Sequence, residues 1–215
     1  EMVNHLSGQQ VSLDGKEVRR SHDRYRGKQA IQVVSAWLVE AGLVLGARKT
    51  ARKGQEIATV QELLTQLELQ GCVVTADALH CQTETARTIV EGGGDYVLTV
   101  KTNQPTLHKA LREVFTHEQA RAFAGLAHTT VRHVDKGHGR LETRTTTVLT
   151  DPEYLREIDP AGKWWHLGSI FRVERTREVY VVVDHSRLSA RTLRSAVDGG
   201  AGGPAPQAAW RTLGR

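Results

Sequence analysis

Short apolar or alternating runs of strand character are interleaved with stretches in which apolar residues recur at helical spacing. Val11-Ser12-Leu13-Asp14 alternates with a period of two, which predicts a first strand with one buried face. Ile31 to Val39 and Leu43 to Ala47 are apolar and β-rich, and the short Glu40-Ala41-Gly42 link suits a hairpin. These three strands predict an antiparallel meander. Ile57, Val60, Leu64 and Leu67 fall on one helical face, predicting a helix over 56–69 that Gly71 stops. Cys72 to Ala76 is short, β-branched and bounded by glycine, as a buried central strand is, and it ends on Asp77. A helix over 83–90 follows, capped by Thr83, facing inward through Ala86, Ile89 and Val90, and ended by Gly92-Gly93-Gly94. Tyr96 to Val100 predicts another strand, and Leu107, Leu111, Val114 and Phe115 another helix. Val131 to Val134 and Leu141 to Leu149 predict strands joined by the turn-like segment 135–139. Leu167 to Val173 and Val179 to Val183 predict two more, and 189–197 a last helix. Residues 198–206 are Gly/Ala/Pro-rich, which predicts a flexible tail over 198–215.

Composition changes this picture little. A chain of 215 residues buries one core, with 39% hydrophobic and 25% charged residues as in ordinary globular proteins. The net charge of +5 permits a polyanionic partner without requiring one. Cys72 and Cys81 are the two cysteines, and no zinc-type spacing or disulfide framework exists. That usage fits a reducing cytosol, so the expected location is cytoplasmic. No apolar run approaches the roughly 18 residues of a membrane span, and no signal-peptide pattern is present. The chain opens at Glu1, so upstream sequence is expected.

The chemistry lies at two strand ends. Burying an ionised carboxylate costs several kcal/mol unless it is paired. Asp14 and Asp77 each close a short apolar strand, and two such strands can bring both acids to one sheet edge, where open α/β folds bind ligands. Hard oxygen donors with room for water suit Mg²⁺ or Mn²⁺, and such sites serve two-metal phosphoryl transfer. The plainer role for Asp77 is an N-cap of the next turn. Lys16, Arg19, Arg20, Arg24, Arg26 and Lys28 follow the first acid and form either a solvated loop or a phosphate-contacting arm. Lys101, Asn103 and Gln104 leave the end of a later strand, where they hold phosphate, read a base edge or make a turn before Pro105. His138 and Arg140 are candidate DNA contacts or plain turn residues. Trp164 and Trp165 fit core or rim packing, with base stacking as the alternative.

Several ordered motifs carry a family resemblance. Leu13-Asp14-Gly15-Lys16, Val33-Val34-Ser35-Ala36-Trp37 and Gly42-Leu43-Val44-Leu45-Gly46 come first. The stretches Gly71 to Gln82, Gly93 to Gln104 and Gly137 to Arg144 follow in order. From about Val11 to about Val197 the chain resembles bacterial insertion-sequence transposases of the DDE class, IS4-like and in the H-repeat-associated branch. The resemblance implies a mixed α/β ribonuclease H-like sheet flanked by helices over 1–197, with a β-rich insertion at about 120–186. It implies Asp14 and Asp77 as first and second acids of a Mg²⁺ (or Mn²⁺) triad. It further implies DNA ends and target as substrates, Lys16, Arg19 and Lys101 on phosphates, and at least a pair of protomers on DNA.

One departure stands out. The family's third acid is the Glu of a His-Trp-x-Ile-Glu-Asn motif, which this sequence lacks; Trp210 has neither the His nor the Glu. A reading-frame shift would produce such a tail, and Glu142 is a remote substitute within the His-Gly-Arg-x-Glu segment. The expectation is a transposase-type chain with defective catalysis. The alternatives are a non-catalytic DNA-binding remnant and a metal-dependent nuclease of the same fold.

Overall fold

The structure, a computed structural model, describes residues 7–21, 30–50, 54–137, 140–179 and 207–214. Strands β1 (Gln10–Glu17), β2 (Gln32–Leu38) and β3 (Leu43–Lys49) form the expected antiparallel meander. Helix α1 (Glu56–Leu64) carries the chain back, and β4 (Val73–Ala76) joins β1 in parallel, on the edge away from β2. Helix α2 (Thr83–Glu91) makes a second crossover, and β5 (Asp95–Val100) runs parallel to β4. Parallel neighbours need such crossovers because their ends lie at opposite edges of the sheet. The order β3-β2-β1-β4-β5 with these pairings makes the fold ribonuclease H-like.

The alternation read from the sequence is what builds the core. Val11 and Leu13 of β1, Val34 and Ala36 of β2, Val74 of β4 and Leu98 of β5 are all buried. Val60, Leu63 and Leu64 of α1 and Ala86 and Ile89 of α2 join the same cluster. At Gly46 an added Cβ would lie 2.9 Å from Leu63 Cδ1, so α1 approaches β3 at a distance that glycine permits.

The second half extends this sheet. Helix α3 (Pro105–Ala120) leads to β6 (His128–Gly137), β7 (Arg140–Leu149), helix α4 (Pro152–Ile158) and β8 (Leu167–Val179). Strand β9 (Gln207–Gly214) lies between β5 and β8, antiparallel to both, and completes a nine-stranded order among the described residues. Tyr96 donates its hydroxyl hydrogen bond to the Trp165 carbonyl at 3.0 Å, tying β5 to the loop before β8.

Several expectations need correction. Helix α1 ends at Leu64, where the Thr65 hydroxyl donates to the Glu62 carbonyl at 2.9 Å and competes with the helical ladder. Gly71, at φ 71°, instead makes the turn into β4. Thr83 is the first residue of α2 and Gln82 its cap, without a side-chain bond. The two strands expected from 167 and 179 are one strand through Val179, because Arg175 and Arg177 find a partner on β7; residues 180–183 lie outside the described residues. The tail expected over 198–215 is a strand over Gln207–Gly214: β5 and β8 each offer a row of backbone donors and acceptors, and the segment pairs with both. Residues 198–206 and the helix expected over 189–197 lie outside the described residues. Helix α4 was not foreseen, although Asp151 caps it through Glu153 N–H at 2.9 Å and Pro152 opens it. Among the described residues no helix is long and apolar enough to cross a membrane.

Candidate functional site

Strand register brings the two acids together. Leu13 of β1 pairs with Ala76 of β4, so the next residues, Asp14 and Asp77, follow at one level. Asp77 lies just past the end of β4 and Asp14 within β1, which does not end there as expected but runs on to Glu17 because β2 continues to pair with it. Adjacent strands lie about 4.8 Å apart, close enough for two carboxylates to share one cation. Both residues are exposed. Asp14 meets the Lys16 ammonium at 2.7 Å through Oδ2. With both side chains largely in solvent, that pair is worth about 0–1 kcal/mol and yields readily to a stronger cation. Asp77 does act as an N-cap: its Oδ1 accepts the Leu79 N–H at 3.1 Å and starts a single 3₁₀ turn, Ala78–His80. The cap engages one oxygen of this candidate site carboxylate.

The support beneath this edge was not read from the sequence. Asn103 donates its amide to the Ala78 carbonyl, and Gln104 donates to the Cys81 carbonyl at 2.9 Å and to Gln82 Oε1 at 3.2 Å. Both side chains thus brace the segment that carries Asp77. His80 is buried, and an added Cβ on Gly15 would lie 3.8 Å from its Nε2, which places the imidazole under the Asp14 strand end. Burial holds the His80 imidazole below its ordinary value, against the pull of Asp77, Glu56 and Asp14. Burial also pushes the Cys81 thiol up to about 12 and raises Cys72, so both thiols are inert core groups. The amide and ring signals were present in the sequence; what was missing was knowledge of which segment they would face.

The other candidates are distributed around this edge. Lys16 touches Asp14, Arg19 is exposed in the turn just past β1, and Lys101 is exposed immediately after β5. Arg24, Arg26, Lys28 and His138 lie outside the described residues. Arg140 opens β7, well up the β6–β7–β8 ribbon. Trp164 is buried, whereas Trp165 lies at the rim with the Arg87 guanidinium 5.7 Å from its ring centre.

Glu142 does not substitute for a third acid. It sits on β7 and binds the guanidiniums of Arg144 and Arg175, with Arg177 at 3.6 Å. The Arg175 hydrogen bond above all, with those to Arg144 and the surrounding positive charge, holds its carboxyl down at about 2 against the opposing effect of burial. Its folded value lies below the ordinary 4.5, so its contribution to stability is complete above about pH 4.5 and is lost as pH falls toward about 2. Denaturant melts at about pH 5 and about pH 3 should therefore differ more in the wild type than in Glu142→Gln. Equal pH dependence in the two would refute the pairing.

Asp14 and Asp77 offer hard oxygens with coordination positions left to water, which fits a magnesium-type ion and not a thiolate- or imidazole-seeking one. Among the described residues no cluster of three or more His, Cys, Asp or Glu groups completes a metal site.

Comparison with known proteins identifies the family. A family model described as "Transposase DDE domain" matches residues 6–192. An uncharacterised protein from the dhlA 3′ region of Xanthobacter autotrophicus is 36% identical over 170 residues, covering 79% of this chain and 55% of that protein. YbfD, an H repeat-associated candidate transposase of Escherichia coli K12, is 39% identical over 145 residues, covering 67% and 56%. YncI of the same strain, also named as a candidate transposase, is 40% identical over 149 residues, covering 69% and 59%. The chain thus spans little more than half the length of these relatives. Among solved structures, a methyltransferase from Clostridium acetobutylicum reaches a TM-score of 0.17 at 5% identity over 70% of this chain and 61% of that one, too slight a likeness to bear on function. By the family match over most of its length and its similarity to these relatives, with a strand order that agrees, the chain belongs to the DDE transposase domain family, in the H-repeat-associated branch of the insertion-sequence transposases.

Proposed function

We propose that this chain works on the ends of an insertion sequence, binding DNA and contributing two of the three acids of a metal-dependent strand-cleavage and strand-transfer centre. The observation that carries this reading is the placing of Asp14 and Asp77 at one level on neighbouring parallel strands. Magnesium or manganese bound there would supply Lewis-acid activation of a water or 3′-hydroxyl and relief of charge on the leaving oxygen. The protein's share is to hold the carboxylates still. The cap through Leu79 N–H and the Asn103 and Gln104 braces fix the Asp77 strand end. Lys16 balances Asp14 until a cation arrives and is then free to turn to a phosphate oxygen, with Arg19 and Lys101 on either flank. Asn103 and Gln104 act in this reading by positioning the site, more than by reading bases.

Two acids without a third align a reacting phosphodiester poorly, and a misplacement of about 1 Å can lower a rate by about 10²-fold. That consideration favours a second reading, in which this chain alone is a DNA-binding form with weak or no cleavage. It rests on the absence of a third acidic partner among the described residues.

Calorimetric titration of the full chain with Mn²⁺, repeated with Asp14→Ala and Asp77→Ala, tests the centre. Millimolar or tighter binding in the wild type, lost in both variants, is the expected result. Binding that survives either substitution would place the ion elsewhere. No binding by the wild type, together with salt-sensitive DNA binding, would favour the second reading.

A further inference from the structure

Beyond the acids, the sheet carries a basic face that no step above uses. The register can be followed from strand to strand. The Asp14–Asp77 level continues to Thr99 of β5, position 211 of β9, Phe171 of β8 and Val148 of β7. Register partners share a face, and residues two apart on a strand keep it. Val173, Arg175 and Arg177 therefore stand on the same face as the two acids. Because β8 runs parallel to β1 and β4, they also lie toward the same carboxyl edge. Arg175 and Arg177 are four and six residues beyond Phe171, about 13 and about 20 Å up the ribbon at about 3.3 Å per residue.

Their neighbours on β7 and β6 extend this face. His133, Arg144 and Arg175 form one row, Asp135, Glu142 and Arg177 the next, and Gly137 and Arg140 lie above. Four guanidiniums thus meet two carboxylates. The opposite face of the same ribbon is balanced, with Arg132 and Lys136 in rows with Glu174 and Glu178. Glu142 is buried beneath the guanidiniums, while the side chains of Arg144, Arg175 and Arg177 are 52%, 43% and 45% exposed. A guanidinium has five N–H donors and a carboxylate two oxygens, so three arginines on one glutamate keep most of their donors for another acceptor. The glutamate also holds the planar groups in place, which lowers the ordering cost of binding an anion.

We propose that Arg140, Arg144, Arg175 and Arg177, the last three anchored by Glu142, form a phosphate-binding face for duplex DNA running up the β6–β7–β8 ribbon from the Asp14–Asp77 edge. The proposal rests on the reading of DNA as the substrate. A duplex presents a charge about every 1.7 Å along its axis, so one lying over the carboxylates brings phosphates past each of these arginines in turn. The contacts are to backbone oxygens and carry no base specificity.

Fluorescence anisotropy of the full chain with a labelled duplex in EDTA, over a KCl series, tests this. Arg175→Gln/Arg177→Gln should weaken binding by about 10-fold or more and reduce the slope of log Kd against log salt by about two, close to one per lost phosphate contact. Arg140→Ala leaves the Glu142 pairs intact and should lower the slope by about one, so the test survives if the double variant does not fold. Arg132→Ala/Lys136→Ala on the opposite face should leave affinity within about twofold. An unchanged slope in Arg140→Ala, or an equal loss from the opposite face, overturns the proposal. Because no metal is present, this outcome is independent of the manganese titration: the carboxylate centre can fail while the arginine face stands, and the reverse.

Discussion

Phe115→Ala is expected to destabilise the protein by about 3–5 kcal/mol, the cost of emptying a filled core position. Phe115 is fully buried on α3, with the Phe123 ring edge-on at 6.4 Å and the Arg172 guanidinium 5.3 Å from its ring centre. It therefore joins α3 to β8, the strand that carries the basic ribbon. Alanine would leave a cavity that a sheet and a helix cannot close together, and would strip the buried Arg172 of its aromatic neighbour. Urea unfolding of the two proteins measures the loss. A change below about 1 kcal/mol would mean that α3 and the ribbon are not docked as described.

Asp77→Asn should separate two roles that one carboxylate performs. Asparagine caps a helical turn about as well as aspartate, so the Leu79 N–H keeps its acceptor and stability should move by no more than about 0.5 kcal/mol. The charge that would hold a divalent ion is gone, and manganese affinity should fall at least about 10-fold. A large loss of stability with metal binding preserved would mean that Asp77 serves only the turn. In a relative that contains the third acid, the same substitution should abolish metal-dependent cleavage.

Much of the first half was legible because its signals are local. Period-two alternation in β1 and β2, the glycine before β4, and apolar spacing in α1 and α2 each state their element within a few residues. Asp77 was legible as a strand-end acid for the same reason, whereas β1 runs on past Asp14 to Glu17 in its pairing with β2. Asn103 and Gln104 were legible as functional amides but not in their role, since the carbonyls they brace lie more than twenty residues away in the chain. Glu142 read as a spare acid until the β7–β8 register brought Arg175 and Arg177 against it. The run from Glu174 to Glu178 read as a break between strands, since charged residues disfavour a strand unless a partner neutralises them.

By itself, then, the sequence determined the order of elements from β1 to α3, the buried faces of β1, α1 and α2, and two acids that are candidates for a sheet edge. Hydrophobic period and burial cost are properties of short segments, so they survive without tertiary information. Only the tertiary structure decided that the two acids share a level, that β9 lies between β5 and β8, and that four arginines line the same face around a buried glutamate. Those facts depend on strand register and order. A shift of one residue turns every side chain of a strand to the opposite face, and no local pattern in this chain specifies the register of partners so far apart.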